Sequence, residues 1–358
     1  MVETLDEILR KALEFKGSDV FVVPGSQVMT KASGKMIPIT EERALPNDIA
    51  ILVDRAYELA GRTRETLHEE GDDDFSFAVR DLSRFRCNTY RQRGSLAMTC
   101  RVVAFGIPDP VDRHIPDVVM RLADLRSGMI LVTGPAGNGK STTLACLVDK
   151  INRTRSGHII TIEDPIEYLH THKKCIVSQR EIPGDSSTFA RALRAALRQA
   201  PDVIMLGEMR DIETISTAIT AAETGHLLLS SLHTLGAAKT IDRVIDAFPA
   251  EQQNQVRTQL SMVLRAVVSQ RLLLGTDGTL YPVFEVMTVN PAIQNLIREG
   301  KTHQIDNAIS GAGSEMLSMD SELARLAREG KITKEMARAY ALHPETMERQ
   351  MRFGTMGR

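Results

Sequence analysis

Residues 134–141 combine glycines, a lysine and a serine in an order that suits phosphate binding. They read GPAGNGKS, which fits the pattern G-x-x-x-x-G-K-[ST], between the apolar run MILVT and the helix-forming segment STTLACLVDKI. In such a loop backbone N–H groups surround phosphate oxygens, Lys140 reaches the β- and γ-phosphates and Ser141 holds Mg²⁺. We therefore predict that the nucleotide is contacted by Gly134, Pro135, Ala136, Gly137, Asn138, Gly139, Lys140, Ser141 and Thr142.

Two glutamates end the apolar runs that come next in the chain. Glu163 follows HIITI and begins the segment EDPIE, and Glu208 follows DVIMLG. Parallel α/β sheets gather reactive groups at the carboxyl ends of their strands. A carboxylate beside a triphosphate is costly unless it orients Mg²⁺ or takes a proton from water, so either glutamate is a candidate general base and Glu208 is also a candidate metal ligand through water. The alternatives are an acidic turn fixed by Pro165 and a charge at a helix start.

The apolar run LLLSSL lies between two histidines, His226 and His233. His233 comes at the carboxyl end of this predicted strand, where it can donate a hydrogen bond to a γ-phosphate. On spacing alone, an ordinary polar residue at a strand end is the favoured interpretation.

An arginine-rich segment, RFRCNTYRQRGSLAMTCR, lies far from the glycine loop in the sequence. Arginines at that distance reach a phosphate only through domain closure or from a neighbouring subunit, as arginine fingers do. The residues alone leave this as the less favoured interpretation of the segment. The segment contains Arg84, Arg86, Arg91, Arg93 and Arg101.

The elements that position these residues divide the chain into four parts. Short β-type runs with two helical stretches predict a small α+β domain with an antiparallel sheet over residues 1–105, and the proline-rich segment IPDPVDRHIP predicts a linker over 106–116. Apolar runs alternating with helical segments predict an α/β domain with a parallel sheet over 117–290. Residues 291–358 are predicted to be helical, with the part after His343 poorly anchored.

The composition excludes several classes of function. The 358 residues carry a formal net charge of −2, contain no Trp and show no basic block, so nucleic-acid binding is not expected. No signal peptide and no membrane-spanning run is visible, and the four cysteines lack the spacing of a zinc site. We expect a cytoplasmic protein.

Several segments together resemble the type II/IV secretion ATPase superfamily, namely GPAGNGKSTTLA, TIEDPIEY, LRQAPDVIMLGEMRD and AAETGHLLLSSLHT. The resemblance narrows to the PilT-type retraction ATPases of type IV pili through RFRCNTYRQRG, IDAFPAEQQNQVRTQL and AIQNLIREGKTHQI. It implies an α/β fold with a RecA-like core, a PAS-like N-terminal domain and C-terminal helices. It also implies roles for site residues: Lys140 and Ser141 in Walker A, Glu163 and Glu167 in the Asp box, Glu208 in Walker B, His226 and His233 in the His box, and Arg86 and Arg101 as arginines that reach a nucleotide.

The resemblance further implies a homohexameric motor that hydrolyses ATP with Mg²⁺ and acts on an inner-membrane platform protein at the cytoplasmic face. The additional N-terminal domain and tetracysteine insert usual in assembly ATPases have no counterpart here, which favours retraction. Two alternatives stay open: a secretion or conjugation ATPase of the same superfamily, and a non-hydrolysing, nucleotide-gated regulator. In two places the sequence departs from the family: Ala136 and Asn138 replace Thr and Ser in the loop, and Gln294 replaces the Arg of an Ala-Ile-Arg motif tied to retraction.

Overall fold

The computed structural model describes residues 3–353, and the side chains of all of these except 104, 105, 314 and 353. The chain folds into two compact units. The first, here the N-terminal unit, holds residues up to Gly106 together with Pro165–Leu169; the second, here the C-terminal unit, holds Ile107–Asp164 and the chain from His170 onward. The backbone therefore crosses between the units three times, after Gly106, Asp164 and Leu169.

The N-terminal unit is an antiparallel sheet covered by helices. In the described part of this unit six strands pair in the order β3-β2-β1-β6-β5-β4, and a separate parallel pair joins β7 to β10. Phe77 and Phe85 on the sheet pack with Leu9 and Val53 on the helices in one buried cluster. The elements are α1 (Leu5–Glu14), β1 (Asp19–Val22), β2 (Gln27–Ala32), β3 (Lys35–Arg43), α2 (Pro46–Ala60), α3 (Glu65–Glu70), β4 (Asp72–Val79), β5 (Ser83–Gln92), β6 (Ser95–Val102), β7 (Ala104–Phe105) and β10 (Tyr168–Leu169).

The C-terminal unit is built on a larger sheet. Over residues 107–164 and 170–353, seven strands pair in the order β11-β9-β12-β13-β8-β14-β15, all parallel to their neighbours except β15, which pairs antiparallel with β14. The strands are β8 (Gly128–Thr133), β9 (Gly157–Glu163), β11 (Cys175–Glu181), β12 (Val203–Leu206), β13 (Leu227–Leu232), β14 (Leu264–Leu274) and β15 (Leu280–Thr288).

Helices cover both faces of this sheet. Successive residues of one strand enter different buried clusters: Val203 and Met205 of β12 pack in one, and Ile204 and Leu206 in the other. Burial on both faces explains why these strands are uninterrupted apolar runs. The helices are α4 (Asp117–Arg121), α5 (Lys140–Thr154), α6 (Phe189–Ala196), α7 (Ile212–Glu223), α8 (Ala237–Asp246), α9 (Ala250–Val263), α10 (Pro291–Arg298), α11 (Ile305–Gly311), α12 (Met319–Arg328), α13 (Lys334–Tyr340) and α14 (Pro344–Phe353), with short 3₁₀ turns at Leu122–Asp124, Thr302–Gln304 and Gly313–Glu315.

The predicted fold class is confirmed, with differences at its edges. The α/β core carries the four strands that the apolar runs predict. The sequence does not predict β11, β14 and β15 in this sheet, nor β3, β7 and β10 in the N-terminal unit. The segment predicted as a linker has no helix or strand between Gly106 and Pro116. Its residues from Ile107 onward belong to the C-terminal unit, where Ile107 and Ile115 contribute to a buried cluster. Among residues 3–353, no helix is long and apolar enough to cross a bilayer.

The prediction of a poorly anchored end after His343 is wrong for residues 344–353. Pro344–Phe353 forms α14, in which Met347 is fully buried against the end of the β14–β15 hairpin and α12. Met347 and Met351 lie one turn apart on the same helix face, and this spacing supplies the apolar contact. Residues 354–358 lie outside the described chain.

Candidate functional site

The glycine loop leaves the carboxyl end of β8 and enters α5, as its sequence predicts. Lys140 is the first helical residue and is only 8% exposed. Its Nζ donates hydrogen bonds to the carbonyl oxygens of Gly134 at 2.8 Å and Pro135 at 3.0 Å. Ser141 and Thr142 follow in the first turn of the helix. The loop backbone and the helix start therefore form the cradle that phosphate binding requires.

Strand β14 supports the back of this loop. A Cβ atom at Gly134 would lie 2.2 Å from the carbonyl oxygen of Gln270, and one at Gly139 would lie 2.8 Å from its Nε2. Gln270 also accepts a hydrogen bond from the Thr143 hydroxyl at 2.7 Å. Both glycines have a positive φ, 142° and 81°, so both backbone shape and space require glycine there.

Asn138, one of the two departures from the family loop, connects the loop to the same strand. Its Oδ1 accepts a hydrogen bond from the Leu272 amide at 2.7 Å, and its Nδ2 donates to the Ala136 carbonyl at 3.0 Å. The Ala136 side chain is a methyl group and makes no hydrogen bond, so Asn138 contacts this residue through its backbone carbonyl. The replacement of Ser by Asn thus leaves the cradle intact and supplies a side-chain bridge to β14.

Four polar side chains meet beside the loop at the ends of adjacent strands. His233, just after β13, has its Nδ1 3.5 Å from Lys140 Nζ and its Nε2 3.5 Å from Glu208 Oε2. Glu208, just after β12, forms an ion pair with Arg210 at 2.7 Å. His233 remains half exposed, with 56% of its side chain accessible, while Glu208 is at 13%. An imidazole, a carboxylate and two cationic groups, those of Lys140 and Arg210, therefore lie together beside the loop.

Glu163 is held in a different way at the carboxyl end of β9, which neighbours β12. It is 7% exposed, and its Oε1 accepts hydrogen bonds from the Thr161 hydroxyl at 2.6 Å and the Gln179 amide at 3.2 Å. These contacts fix the orientation of the carboxylate. Gly207 approaches closely, since a Cβ atom there would lie 3.4 Å from the Glu163 Cα.

The residues present fit a bound Mg²⁺ of the kind found with nucleotides. Mg²⁺ takes few protein ligands and completes its octahedron with water and phosphate oxygens. Within the described chain no group of three or more His, Cys, Asp or Glu could hold a metal ion without such partners. Ser141 at the start of α5 and Glu208 at the end of β12 supply one hydroxyl and one carboxylate, which suits that coordination.

The structure does not bring His226 to the same place. His226 precedes β13, where its Nδ1 lies 2.9 Å from the Ala221 carbonyl, whereas His233 follows the strand. At about 3.3 Å per residue, the six residues of β13 separate the two histidines by roughly 20 Å. A strand places its two ends at opposite edges of the sheet, so only His233 lies beside the loop of its own chain, and the nucleotide-binding role predicted for His226 stays a prediction.

Three further predicted site residues belong to the N-terminal unit: Glu167, Arg86 and Arg101. All three are exposed. Arg86 on β5 and Arg101 on β6 are directly opposite each other in the antiparallel pair, and Arg101 in turn is opposite Asp19 on β1. The Arg101 Nε donates to Asp19 Oδ1 at 2.8 Å. The roles predicted for these residues stay predictions.

Some residues around the site were not predicted, although the sequence contains a signal for them. Gln270 interrupts the apolar run VVSQRLLL, and Thr161 lies inside HIITI. A polar residue in a strand that is buried on both faces needs a partner, and here the partners are Thr143 and Glu163. Gln294, the other departure from the family, is half-buried on α10, where its backbone amide donates to Asn290.

Comparison with known proteins agrees with this geometry. A family model described as type II/IV secretion system protein matches residues 111–352. Over 343 residues the chain is 41% identical to the type IV pilus retraction ATPase PilT of Pseudomonas aeruginosa, covering 95% of this chain and 99% of the relative. The chain belongs to the type II/IV secretion system protein family, as a PilT-type ATPase.

Two further comparisons support the PilT-type assignment. A twitching motility protein of Neisseria gonorrhoeae is 46% identical over 276 residues, covering 76% of this chain and 74% of the relative. A crystal structure of the pilus retraction motor PilT with bound ADP matches with a TM-score of 0.89 and 44% identity, over 97% of this chain and all of that one. The PilT-type fold, with its RecA-like core, thus extends over both units.

Proposed function

We propose that the chain is the subunit of a hexameric motor that hydrolyses ATP and uses the energy to retract type IV pili. The observation that carries this proposal is the arrangement of Lys140, His233, Glu208 and Arg210 beside the Walker A loop. It offers charge for the phosphates, a donor for the γ-phosphate and a carboxylate beside the Mg²⁺ position. The close relationship to PilT of Pseudomonas aeruginosa supports the coupling to pilus retraction.

The binding steps follow from the geometry of the loop. Backbone N–H groups of the loop take the α- and β-phosphate oxygens, and Lys140 exchanges the carbonyl oxygens it contacts for β- and γ-phosphate oxygens. Ser141 and Glu208 are the residues that would hold Mg²⁺ beside the phosphates. When bound, Mg²⁺ neutralises charge that develops on the transferred phosphoryl group.

The two carboxylates take different parts in the hydrolysis. Glu163 is the general base, because the hydrogen bonds from Thr161 and Gln179 fix its carboxylate in one orientation. Glu208 already forms an ion pair with Arg210 and contacts His233, so its part is to orient His233, and it would also help to hold Mg²⁺. His233 donates a hydrogen bond to the γ-phosphate.

Arg86 and Arg101 complete the site from the N-terminal unit of the same or a neighbouring subunit. Two arginines directly opposite on adjacent strands repel each other, which is destabilising unless an anion lies between or above them. A triphosphate is such an anion. A ring of six subunits follows if the contacts are heterologous and their rotation closes.

The proposal is tested in four assays, on the purified full chain and in cells. Phosphate release should require Mg²⁺ and Lys140, and the protein should form a hexamer in solution. Deleting the gene in its own host should abolish pilus retraction, and a copy with Lys140→Ala should not restore it. Pull-down of an inner-membrane pilus platform protein supports the assignment, whereas secretion-channel proteins would identify a secretion ATPase instead, and a chain that binds nucleotide without releasing phosphate would be a regulator.

A further inference from the structure

The loop that carries His233 is anchored at its far end by two buried side chains. The chain leaves β13 at His233 and enters α8 at Ala237. The amide of Gly236 donates to the Ser269 hydroxyl at 2.9 Å, and the amide of Ala237 donates to Glu285 Oε1 at 2.8 Å. Consecutive amides are thus held by two side chains of the β14–β15 hairpin.

These two side chains lie in one row across the sheet. Ser269 and Glu285 are directly opposite each other in the β14–β15 pair, and Ser269 is also opposite Thr133 on β8. Thr133 is the last residue before the Walker A loop, and Gln270, next to Ser269, supports that loop. The anchor of the His233 loop and the support of the Walker A loop are therefore adjacent residues of the same strand.

Glu285 is also connected to the C-terminal helices. Its carboxylate accepts a hydrogen bond from the amide of Met319, the first residue of α12. One carboxylate thus caps the starts of both α8 and α12, where unpaired amides favour an anion. Glu285 is 2% exposed, so these amides compensate for the cost of a buried charge.

The charged groups that face Glu285 are acidic. Asp306 on α11 and Asp320 on α12 repel its charge, and together with burial, the larger cause, they raise the pKa of Glu285 to about 7. His343 contacts this pair, with its amide donating to Asp320 Oδ2 at 2.9 Å and its Nε2 4.0 Å from Asp306 Oδ2. Glu285 therefore changes its charge near neutral pH while it holds two helix starts.

We propose that Glu285 is a positioning residue for ATP hydrolysis, which holds the His233 loop in place against Lys140 and Glu208 and connects it to α12. It acts through His233 and does not touch the nucleotide. This inference rests on the proposed contact of His233 with the γ-phosphate. Because one side chain fixes both elements, a displacement of α12 moves the histidine, and the phosphate contact in turn restrains α12.

A double-mutant cycle on the purified full-length ATPase tests whether Glu285 acts through His233. Glu285→Ala should lower kcat about tenfold, the effect of one lost charge-assisted hydrogen bond, and leave the affinity for a fluorescent ADP analogue within about twofold. In a His233→Ala background the same change should have no further effect on kcat. Effects that simply multiply would overturn the proposal. If His233→Ala alone leaves kcat unchanged, the assigned role of His233 fails, and that result is visible without any change at Glu285.

Two conservative variants separate positioning from a loss of folding. Glu285→Gln keeps an acceptor for Ala237 but cannot accept from both amides, so its kcat should lie between those of the wild type and Glu285→Ala. It should also lose the fall in rate that protonation of Glu285 causes below about pH 7. Asp320 lies in the first turn of α12 and raises the pKa of Glu285. Asp320→Asn should therefore keep the wild-type rate above pH 8 and move the fall in rate to lower pH. A rate fall that persists unchanged in Glu285→Gln would contradict the proposal.

Discussion

Arg86 and Arg101 lie directly opposite each other on neighbouring antiparallel strands of the N-terminal unit, and Asp19 forms an ion pair with only the second of them. The register thus places three charged residues, Asp19, Arg101 and Arg86, in one row across three strands. Like charges directly opposite each other cost stability, and we propose that the chain keeps this pair because both arginines act on the nucleotide.

Replacing Arg86 with Ala should therefore separate activity from stability. We expect the rate of phosphate release to fall about 10³-fold, the size of an arginine-finger effect. The free energy of unfolding should not decrease, because the change removes one of two like charges. Arg80→Ala, in the exposed turn before β5, is the matched control and should change neither quantity.

Arg101→Ala should lower the rate of phosphate release by a similar factor. It should also lower the free energy of unfolding, since it leaves the largely buried Asp19 carboxylate without its partner.

Rings assembled from two variants show whether the arginine acts within its own chain or on a neighbour. Arg101→Ala chains, intact at Lys140, should regain activity when assembled with Lys140→Ala chains. Inactivity in every mixture, with co-assembly demonstrated, would place the contact within one chain.

Lys140→Ala should abolish phosphate release, because it removes the positive charge that neutralises the β- and γ-phosphates. The measurement is a coupled phosphate assay at saturating ATP. Lys150, on the same helix, is the control position, since its Nζ contacts the Met120 carbonyl and Asp124. Lys150→Ala should keep wild-type turnover. Retained turnover in Lys140→Ala would refute the assignment of the Walker A loop.

The two carboxylates should respond differently to Mg²⁺. Both Glu163→Gln and Glu208→Gln should bind ATP and release phosphate about 10² times more slowly. Only Glu208→Gln should raise the Mg²⁺ concentration needed for half-maximal rate, because of the two glutamates we assign only Glu208 to the metal ion. A raised requirement in Glu163→Gln instead would reverse the roles. Glu223→Gln, an exposed carboxylate on α7, serves as the control.

Glu285 should make the stability of the C-terminal unit depend on pH. Its pKa is about 7 in the folded chain, against 4.5 for an ordinary glutamate. The folded state therefore holds its proton longer than the unfolded state, so this group's contribution is fully present below pH 4.5 and is lost as the pH rises toward 7. The loss amounts to about 3 kcal/mol.

Urea denaturation between pH 5 and pH 8 measures this contribution. Glu285→Gln should remove that part of the pH dependence and raise the stability relative to the wild type most at the upper end of the range. Glu335→Gln, an exposed carboxylate on α13, should leave the pH dependence as it is. The same slope in wild type and Glu285→Gln would mean that Glu285 is not the group responsible.

The sequence predicts best those parts of the fold in which one physical constraint dominates. Strands β8, β9, β12 and β13 are buried on both faces and so appear as apolar runs between turns. The junction of α9 and β14 escaped prediction because Val263 ends the helix and Leu264 begins the strand, with no turn residue between them. A run that stays apolar across a change of element carries no local signal of where the change occurs.

The site is predictable to a similar degree. A glycine loop has a fixed pattern, so its residues follow from the sequence, whereas the placement of His233 between Lys140 and Glu208 depends on the order of strands in the sheet. His226 shows the limit of spacing arguments, since two histidines that flank a strand equally lie at opposite edges. Gln270 and Glu285 are recognisable in the sequence as polar residues within apolar strands. Their partners, Thr143 and Ala237, are distant in the sequence, so the pairing is not predictable from neighbouring residues.

The three crossings of the backbone between the units have a mechanical consequence. A single crossing would act as a swivel, about which one unit could turn without loading the other. Here the second crossing comes after Asp164, one residue beyond Glu163, and the chain returns after Leu169. The covalent chain therefore connects the N-terminal unit to the segment beside Glu163, the residue that we propose as the general base, at two closely spaced points in addition to the linker.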